Sequence, residues 1–212
     1  MGDTPAGRVG GMSGPTQQYD WGSVSGDEPP ERTRPERLPV PAHVSSDIGL
    51  LILRVVVGVI FAAHGAQKTA GLLGGLGPAG TADALSELGF TAFALPLAWV
   101  LGVGQLLLGV LLVLGLLTPF AAAGLLATKI VAIVLSLGPD GPMVPLFAAD
   151  GPNSLELHLL LGGGAAALLF AGAGRIAIDA GRTYQRRPLP WSVLSLIVGV
   201  GVALLVLFVL RR

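Results

Sequence analysis

The run IGLLILRVVVGVIFAAHGAQK, from Ile48 to Lys68, decides the fold because it is apolar enough to cross a membrane yet carries basic side chains. At about 1.5 Å per residue, a helix of this length spans a hydrocarbon core of about 30 Å. At about 100° per residue, Lys68 lies about 40° and His64 about 80° from Arg54 around the helix axis. The three side chains therefore share one arc, which we expect to face protein rather than lipid.

The composition indicates an integral membrane protein. Of the 212 residues, 52% are hydrophobic and only 12% are charged, and the mean hydropathy is +0.73. The 32 glycines fit close packing of helices in lipid. The absence of cysteine excludes thiol chemistry, disulfides and cysteine-ligated metal clusters, so redox work would need a bound cofactor or a partner. We expect no metal site and no nucleic-acid partner.

The chain divides into three parts, and the fold class is an all-α membrane protein. Residues 1–46 are rich in Gly, Pro, Ser and charge and are predicted to be a disordered cytoplasmic tail. Residues 47–180 are predicted to form a bundle of four transmembrane helices, and residues 181–212 a basic loop and a fifth transmembrane helix. The predicted spans are 48–68, 91–117, 120–137, 154–173 and 191–210, with a short interfacial helix in TADALSEL at 81–88.

The distribution of basic residues predicts the orientation. The first and third loops lack Lys and Arg, whereas the tail and the loop after the fourth span are basic. By the positive-inside rule, the N-terminus of this multi-pass protein lies in the cytoplasm. Five spans then place the C-terminus outside, a position against which Arg211 and Arg212 count.

Polar residues in or beside the predicted spans form the candidate site, and we expect them to line one polar cavity. Lys129 falls in the middle of a span, where a cation costs roughly 2.5 to 3.5 kcal/mol. Within the spans cations outnumber carboxylates, which suits an anionic or carbonyl-bearing ligand, such as a quinone head group, or an acidic residue of a partner. An uncharged Lys129 is the alternative. The candidate residues are Arg54, His64, Lys68, Gln105, Lys129 and Glu156.

Several of these residues also have a purely structural interpretation. Lys68 either pairs with Glu156 or extends from the helix end to water. Glu156 follows Asn153 at the spacing of a helix cap, so it could serve only to cap the fourth span. His64 could be a hydrogen-bonded packing residue. His158 lies about 160° from Glu156 around the helix, so both cannot face one cavity, and we favour Glu156.

The order and spacing of several motifs resemble the DoxX family of small four-helix membrane proteins, over about residues 48–180, and its actinobacterial members in particular. The motifs are Arg54, HGAQK at 64–68, GQLLLGVLLVLGLLTPFAA from Gly104, Glu156, and GAGRIAIDA at 172–180. The sequence departs from the family pattern at two places. Gln105 stands where the family usually has glutamate, and Thr118 with Pro119 stands where Thr-Arg usually begins the third helix.

The resemblance implies a protein of the bacterial plasma membrane with a role in membrane oxidoreductase complexes. Relatives include the quinone-reducing DoxD subunit of thiosulfate oxidation, and actinobacterial members are linked to superoxide dismutase and a sulfurtransferase. The resemblance implies no catalytic residues. The loss of the glutamate at Gln105 places in doubt any mechanism in which that carboxylate carries a proton.

Three functions are compatible with these patterns. The leading one is a membrane subunit of an oxidoreductase or oxidative-stress complex, with protein partners, a cavity for a quinone or a small anion, and no enzyme activity by itself. The alternative is a small transporter or channel for protons, anions or a small metabolite. A third is an assembly protein in which the polar groups only fix the helix register.

Overall fold

Apolar helices make up almost all of the part of the chain that the structure describes. The computed structural model describes residues 44–138, 155–182, 184 and 188–211. The helices in these ranges are α1 Val44–Ala70, α2 Gly77–Glu87, α3 Ala94–Leu114, α4 Thr118–Leu137, α5 Leu155–Ala171 and α6 Pro188–Leu205, which continues as a π-helical turn, Val206–Leu210. These ranges contain no strand, so the all-α prediction is confirmed.

Four helical segments are long and apolar enough to cross a membrane: Val44–Ala70, Thr91–Leu114, Thr118–Leu137 and Leu189–Leu210. The fifth apolar helix, α5, is shorter, with 17 residues. Large apolar side chains are exposed around the helices, including Val100 at 69%, Leu160 at 70% and Phe208 at 76%. Such surfaces are stable against acyl chains rather than water. The chain is therefore a multi-pass membrane protein whose surroundings are a lipid bilayer.

The bounds of the helices differ from the predicted bounds mainly at their ends. The predicted tail lies outside the described residues, except that Val44–Ser46 already belong to α1. The predicted interfacial helix is α2, which begins earlier, at Gly77, because Pro78 lies in its first turn, where a missing amide hydrogen costs nothing. The cap predicted at Asn153 lies outside the described residues.

Four helices, α1, α3, α4 and α5, share one apolar core. Its buried residues are Val57, Phe61, Leu112, Ala121, Ala122, Ala123, Leu125, Leu161, Ala165, Leu168 and Leu169. Helix α6 packs outside this core. A methyl group added at Gly199 would lie 2.9 Å from the carbonyl oxygen of Ala123, and Ser192 donates a hydrogen bond to the carbonyl of Leu169. Helix α6 is thus an addition to the four-helix core.

Helices α1 and α3 are antiparallel, and their backbones touch. Both carry glycines spaced by seven residues on the contact face, Gly58 and Gly65 on α1 and Gly102 and Gly109 on α3. A methyl group added at Gly65 would lie 2.3 Å from the backbone nitrogen of Leu106. Such close approach is possible only without a Cβ atom, and it fixes the register of the two helices.

The turn between α3 and α4 returns the chain to the α1 residue Arg54. Gly115 ends α3 in the left-handed conformation, with φ 69°, and the Leu116 amide donates to the Leu111 carbonyl at 2.9 Å. A methyl group added at Gly115 would lie 2.5 Å from Nη1 of Arg54. The turn and Arg54 therefore lie at the same end of the bundle.

Candidate functional site

Arg54 is buried and bonded to the segment that follows α5. Arg54 is only 2% exposed. Its guanidinium donates from Nη1 to the Ala173 carbonyl at 2.8 Å and from Nη2 to the Ile176 carbonyl at 2.7 Å. Gly172 and Gly174 have φ values of 76° and 74°. These left-handed residues reverse the chain after α5, and the carbonyls that follow α5 accept from α1.

The same end of the bundle contains both ion pairs found among the described residues. Asp47 accepts from the backbone and side chain of Arg175, with the side-chain bond at 2.6 Å. Asp179 accepts from the Leu117 amide in the α3–α4 turn and pairs with Arg182 at 3.2 Å. We call the segment 172–182, with its partners on α1 and in the α3–α4 turn, the clasp. It ties three separate parts of the chain together.

Tyr184 lies beside the clasp. Burial raises the pKa of Tyr184 to about 12, and the nearby Asp179 carboxylate acts in the same direction. The phenol therefore stays protonated at neutral pH. Its ring packs edge-on against Phe120 of α4, with centroids 6.4 Å apart.

The other end of the bundle gathers four basic side chains, Lys129, His64, Lys68 and His158, which we call the cation cluster. Lys129 is 4% exposed, and its Nζ lies 5.1 Å from the centroid of the Phe61 ring. Lys68 Nζ donates to the His64 carbonyl of the preceding turn at 3.4 Å. The charges of Lys129, Lys68 and His158 all act on the His64 ring. Three helices, α1, α4 and α5, supply these residues.

Within the described residues, the cation cluster has no carboxylate partner. Glu156 is exposed to the surroundings, and the predicted pair between Glu156 and Lys68 is not among the ion pairs of these residues. His158, two positions further along α5, occupies the inward position instead. The structure thus places His158, rather than Glu156, beside the cations.

Gln105 lies at the level of the cation cluster. It is 4% exposed and donates from Nε2 to Oγ1 of Thr128 at 3.4 Å. Thr128 precedes Lys129 in α4, which places the Gln105 amide within one residue of the buried cation along that helix. Gln105 Oε1 and His158 Nδ1 are both buried without a hydrogen-bond partner in the part of the chain that the structure describes. Buried polar atoms of this kind usually have a partner, which points to one that the described residues do not supply.

The structure places the residues predicted to line one cavity in two separate groups along α1. Arg54 and His64 are about 15 Å apart along α1, and Lys68 is about 21 Å from Arg54. The apolar core residues Val57 and Phe61 lie between them. His64, Lys68, Lys129 and Gln105 lie at one end of α1, and Arg54 lies in the clasp at the other.

Sequence reasoning missed two residues that shape these ends. Asp47 was assigned to no role, although its position in the first turn of α1 was a signal for an interaction with a basic group at that end. Thr128 adjoins Lys129 and could have been considered as a polar neighbour. Among the described residues, no group of three or more His, Cys, Asp or Glu side chains could hold a metal ion.

Comparison with known proteins identifies the family of the chain. The DoxX family model matches residues 49–137. A Bacillus subtilis strain 168 protein named "Putative oxidoreductase CatD" is 34% identical over 136 residues, which cover 64% of this chain and 87% of that relative. No solved structure matches. The matched region contains α1, α3 and α4, and with them Arg54, the α1 part of the cation cluster and Lys129. The chain therefore belongs to the DoxX family.

Proposed function

We propose that this protein is the membrane component of a membrane-associated oxidoreductase or oxidative-stress complex, and that its cation cluster binds an anionic or carbonyl-bearing small molecule such as a quinone head group. One observation carries the proposal. Lys129 is almost fully buried, and neither ion pair of the described residues includes it.

The energetics of a buried cation support a ligand. A lysine near the middle of a spanning helix costs roughly 2.5 to 3.5 kcal/mol, and the face of Phe61 offsets only part of this cost. An oxygen that carries negative or partial negative charge would offset the remainder. The Phe61 ring and two of the six unpartnered buried atoms of the described residues, Gln105 Oε1 and His158 Nδ1, would suit a flat head group with polar edges.

The redox role rests on the family and on the name of the relative. That Bacillus protein is named an oxidoreductase, and this chain has no cysteine with which to perform thiol chemistry. A bound quinone would supply the redox chemistry, while the residues of this chain bind and orient its head group. Protein partners would supply or consume the electrons.

The same proposal includes the orientation. The clasp contains Arg175 and Arg182, and it lies at the end of the bundle where α1 begins. The positive-inside rule then favours a cytoplasmic clasp and a cation cluster in the outer half of a bacterial plasma membrane.

A transporter is the second candidate, and the distribution of polar groups favours it less. The polar residues form two groups, one of which reaches the middle of the bundle at Lys129 and Gln105, and the apolar core residues Val57, Leu112 and Leu125 lie between the two groups. A conducting path would require polar groups or water through that region. A binding site open to one side needs no such path.

Purification from native membranes in a mild detergent tests the proposal. Wild-type protein, Lys129→Met and the charge-matched control Arg211→Met would be compared by mass spectrometry of bound small molecules and proteins. Arg211 is exposed, and within the described ranges it donates to the Leu88 carbonyl. We expect a quinone or small anion with the wild type and the control, and its loss in Lys129→Met.

Two outcomes would contradict the proposal. One is a wild-type preparation with neither a bound small molecule nor a redox partner. The other is proteoliposomes in which the wild type carries an anion or proton flux that Lys129→Met abolishes, which would favour the transporter.

A further inference from the structure

The amide of Gln105 is the starting point, because its orientation is set by a neighbouring hydroxyl. Thr128 Oγ1 donates to the Leu125 carbonyl at 2.7 Å. A hydroxyl has one hydrogen, so Thr128 can only accept from Gln105. The Gln105 amide therefore points its Nε2 towards Thr128, 3.4 Å from Oγ1, and its Oε1 away from Thr128.

Oε1 of Gln105 is thus a buried acceptor that lacks a donor. The residue is 4% exposed, and no described group donates to this oxygen. A buried carbonyl oxygen without a donor destabilises the protein, so a ligand that donates to it would be bound more tightly.

This acceptor lies at the level of the cation cluster. Gln105 is bonded to the residue that precedes Lys129. On the other side, Leu106, which follows Gln105, lies against Gly65, which follows His64. Two helices, α1 and α4, thus place basic residues within about one residue of the level of Gln105.

A ligand that fits both features needs two kinds of group. Lys129 requires an oxygen that accepts, whereas Gln105 Oε1 requires an O–H or N–H that donates. A quinone offers carbonyl oxygens only, so it would leave Gln105 unpaired. A hydroquinone carries hydroxyls, each of which can donate while its oxygen still accepts.

We infer that the ligand of the cation cluster carries a hydroxyl that donates to Oε1 of Gln105, so that the site prefers the hydroquinone form over the quinone form. This inference rests on the proposed function, since it specifies the ligand class of that same site. It concerns binding and includes no electron transfer.

The test compares both redox forms of one probe on the purified full chain in lipid nanodiscs. The probe is tetramethyl-1,4-benzoquinone and its hydroquinone. All four ring positions carry methyl groups, so a lysine amine has no unsubstituted ring carbon to which it can add. Affinities would be measured without oxygen by isothermal titration calorimetry. We expect the wild type to bind the hydroquinone about tenfold more tightly, which is the usual effect of one net hydrogen bond in a buried site.

Gln105→Leu should bind both forms with similar affinity. Gln67→Leu is the matched control, because Gln67 donates only to the Leu73 carbonyl outside the cluster, and it should keep the preference. If Gln105→Leu does not fold, Thr128→Val gives the second test. Without the hydroxyl the amide is free to rotate, and the preference should fall.

The outcomes separate the inference from the proposed function. Equal affinities in the wild type, or an unchanged preference in a folded Gln105→Leu variant, would overturn the inference and leave quinone binding in place. If neither form binds the wild type, the quinone version of the proposed function fails, and the inference fails with it.

Discussion

The buried cations at the two ends of α1 differ in the partners that the described residues give them. At the clasp, Arg54 is buried and bonded to two backbone carbonyls, and the acidic residues Asp47 and Asp179 have arginine partners. At the cation cluster, Lys129 is buried to a similar degree, but the described residues give it only the face of Phe61. At the first end the charged groups have partners among the described residues, although Arg54 Nε has none, whereas at the second end the described residues leave Lys129 without a counter-charge. Buried cationic side chains of one bundle can therefore differ in the role they serve.

The largest expected effect comes from breaking the clasp. Arg54→Met should lower the free energy of unfolding by about 4 kcal/mol, roughly 2 kcal/mol for each buried carbonyl that loses its donor. Reversible unfolding in bicelles would measure this change. Arg54→Lys, which keeps the charge but not the forked geometry, should lie between Arg54→Met and wild type. Wild-type stability in Arg54→Met would show that the clasp does not hold the bundle together.

Packing near the cation cluster can be tested separately from charge, which sharpens the comparison. Gly65→Ala adds a methyl group 2.3 Å from the Leu106 backbone nitrogen, and it should lower the unfolding free energy by about 1 to 3 kcal/mol. Gly104→Ala is the control, because nothing lies within 4 Å of its added methyl group. This control should raise stability by up to about 1 kcal/mol.

Equal effects of the two glycine substitutions would contradict the α1–α3 register. A large loss of stability in Gly65→Ala alone would show that the helices are tightly packed beside the cation cluster. The absence of counter-charges in the cluster would then not result from loose packing.

The smallest effect should come from an arginine at the surface of the clasp. Arg182 pairs with Asp179, but its side chain is 65% exposed, so the pair contributes at most about 1 kcal/mol. Arg182→Met should therefore lose less than this amount, and the loss should shrink in high salt. Since the charge change equals that of Arg54→Met, a similar loss in both variants would mean that net charge, rather than burial and bonding, sets their stability.

The sequence predicted the helices well because their signals are local. Apolar runs of about twenty residues, ended by glycine and proline, gave the spans of α1, α3, α4 and α6, and only the ends shifted. The shared arc of Arg54, His64 and Lys68 was also a local inference, but an angle around the axis says nothing about depth. The rise of about 21 Å from Arg54 to Lys68 decides which residues meet.

The choice between Glu156 and His158 could not be made from the sequence. Helical geometry showed that both cannot face inward, but which one does depends on the rotation of α5, and this short helix has no polar face to set it. Contacts with α4 set the rotation: a methyl group added at Gly162 would lie 3.4 Å from Cβ of Lys129. The acceptors for Arg54 were equally hidden, since they are backbone carbonyls beyond α5.

The unfolding free energy of Lys129→Met, in lipid without added quinone, tests the central difference most directly. Removing a buried cation that has no counter-charge among the described residues should raise stability by about 2 to 3 kcal/mol, opposite in sign to Arg54→Met. A loss of stability similar to that of Arg54→Met would contradict the account, because it would mean that the protein itself satisfies Lys129 and that the cation cluster has nothing left to offer a ligand.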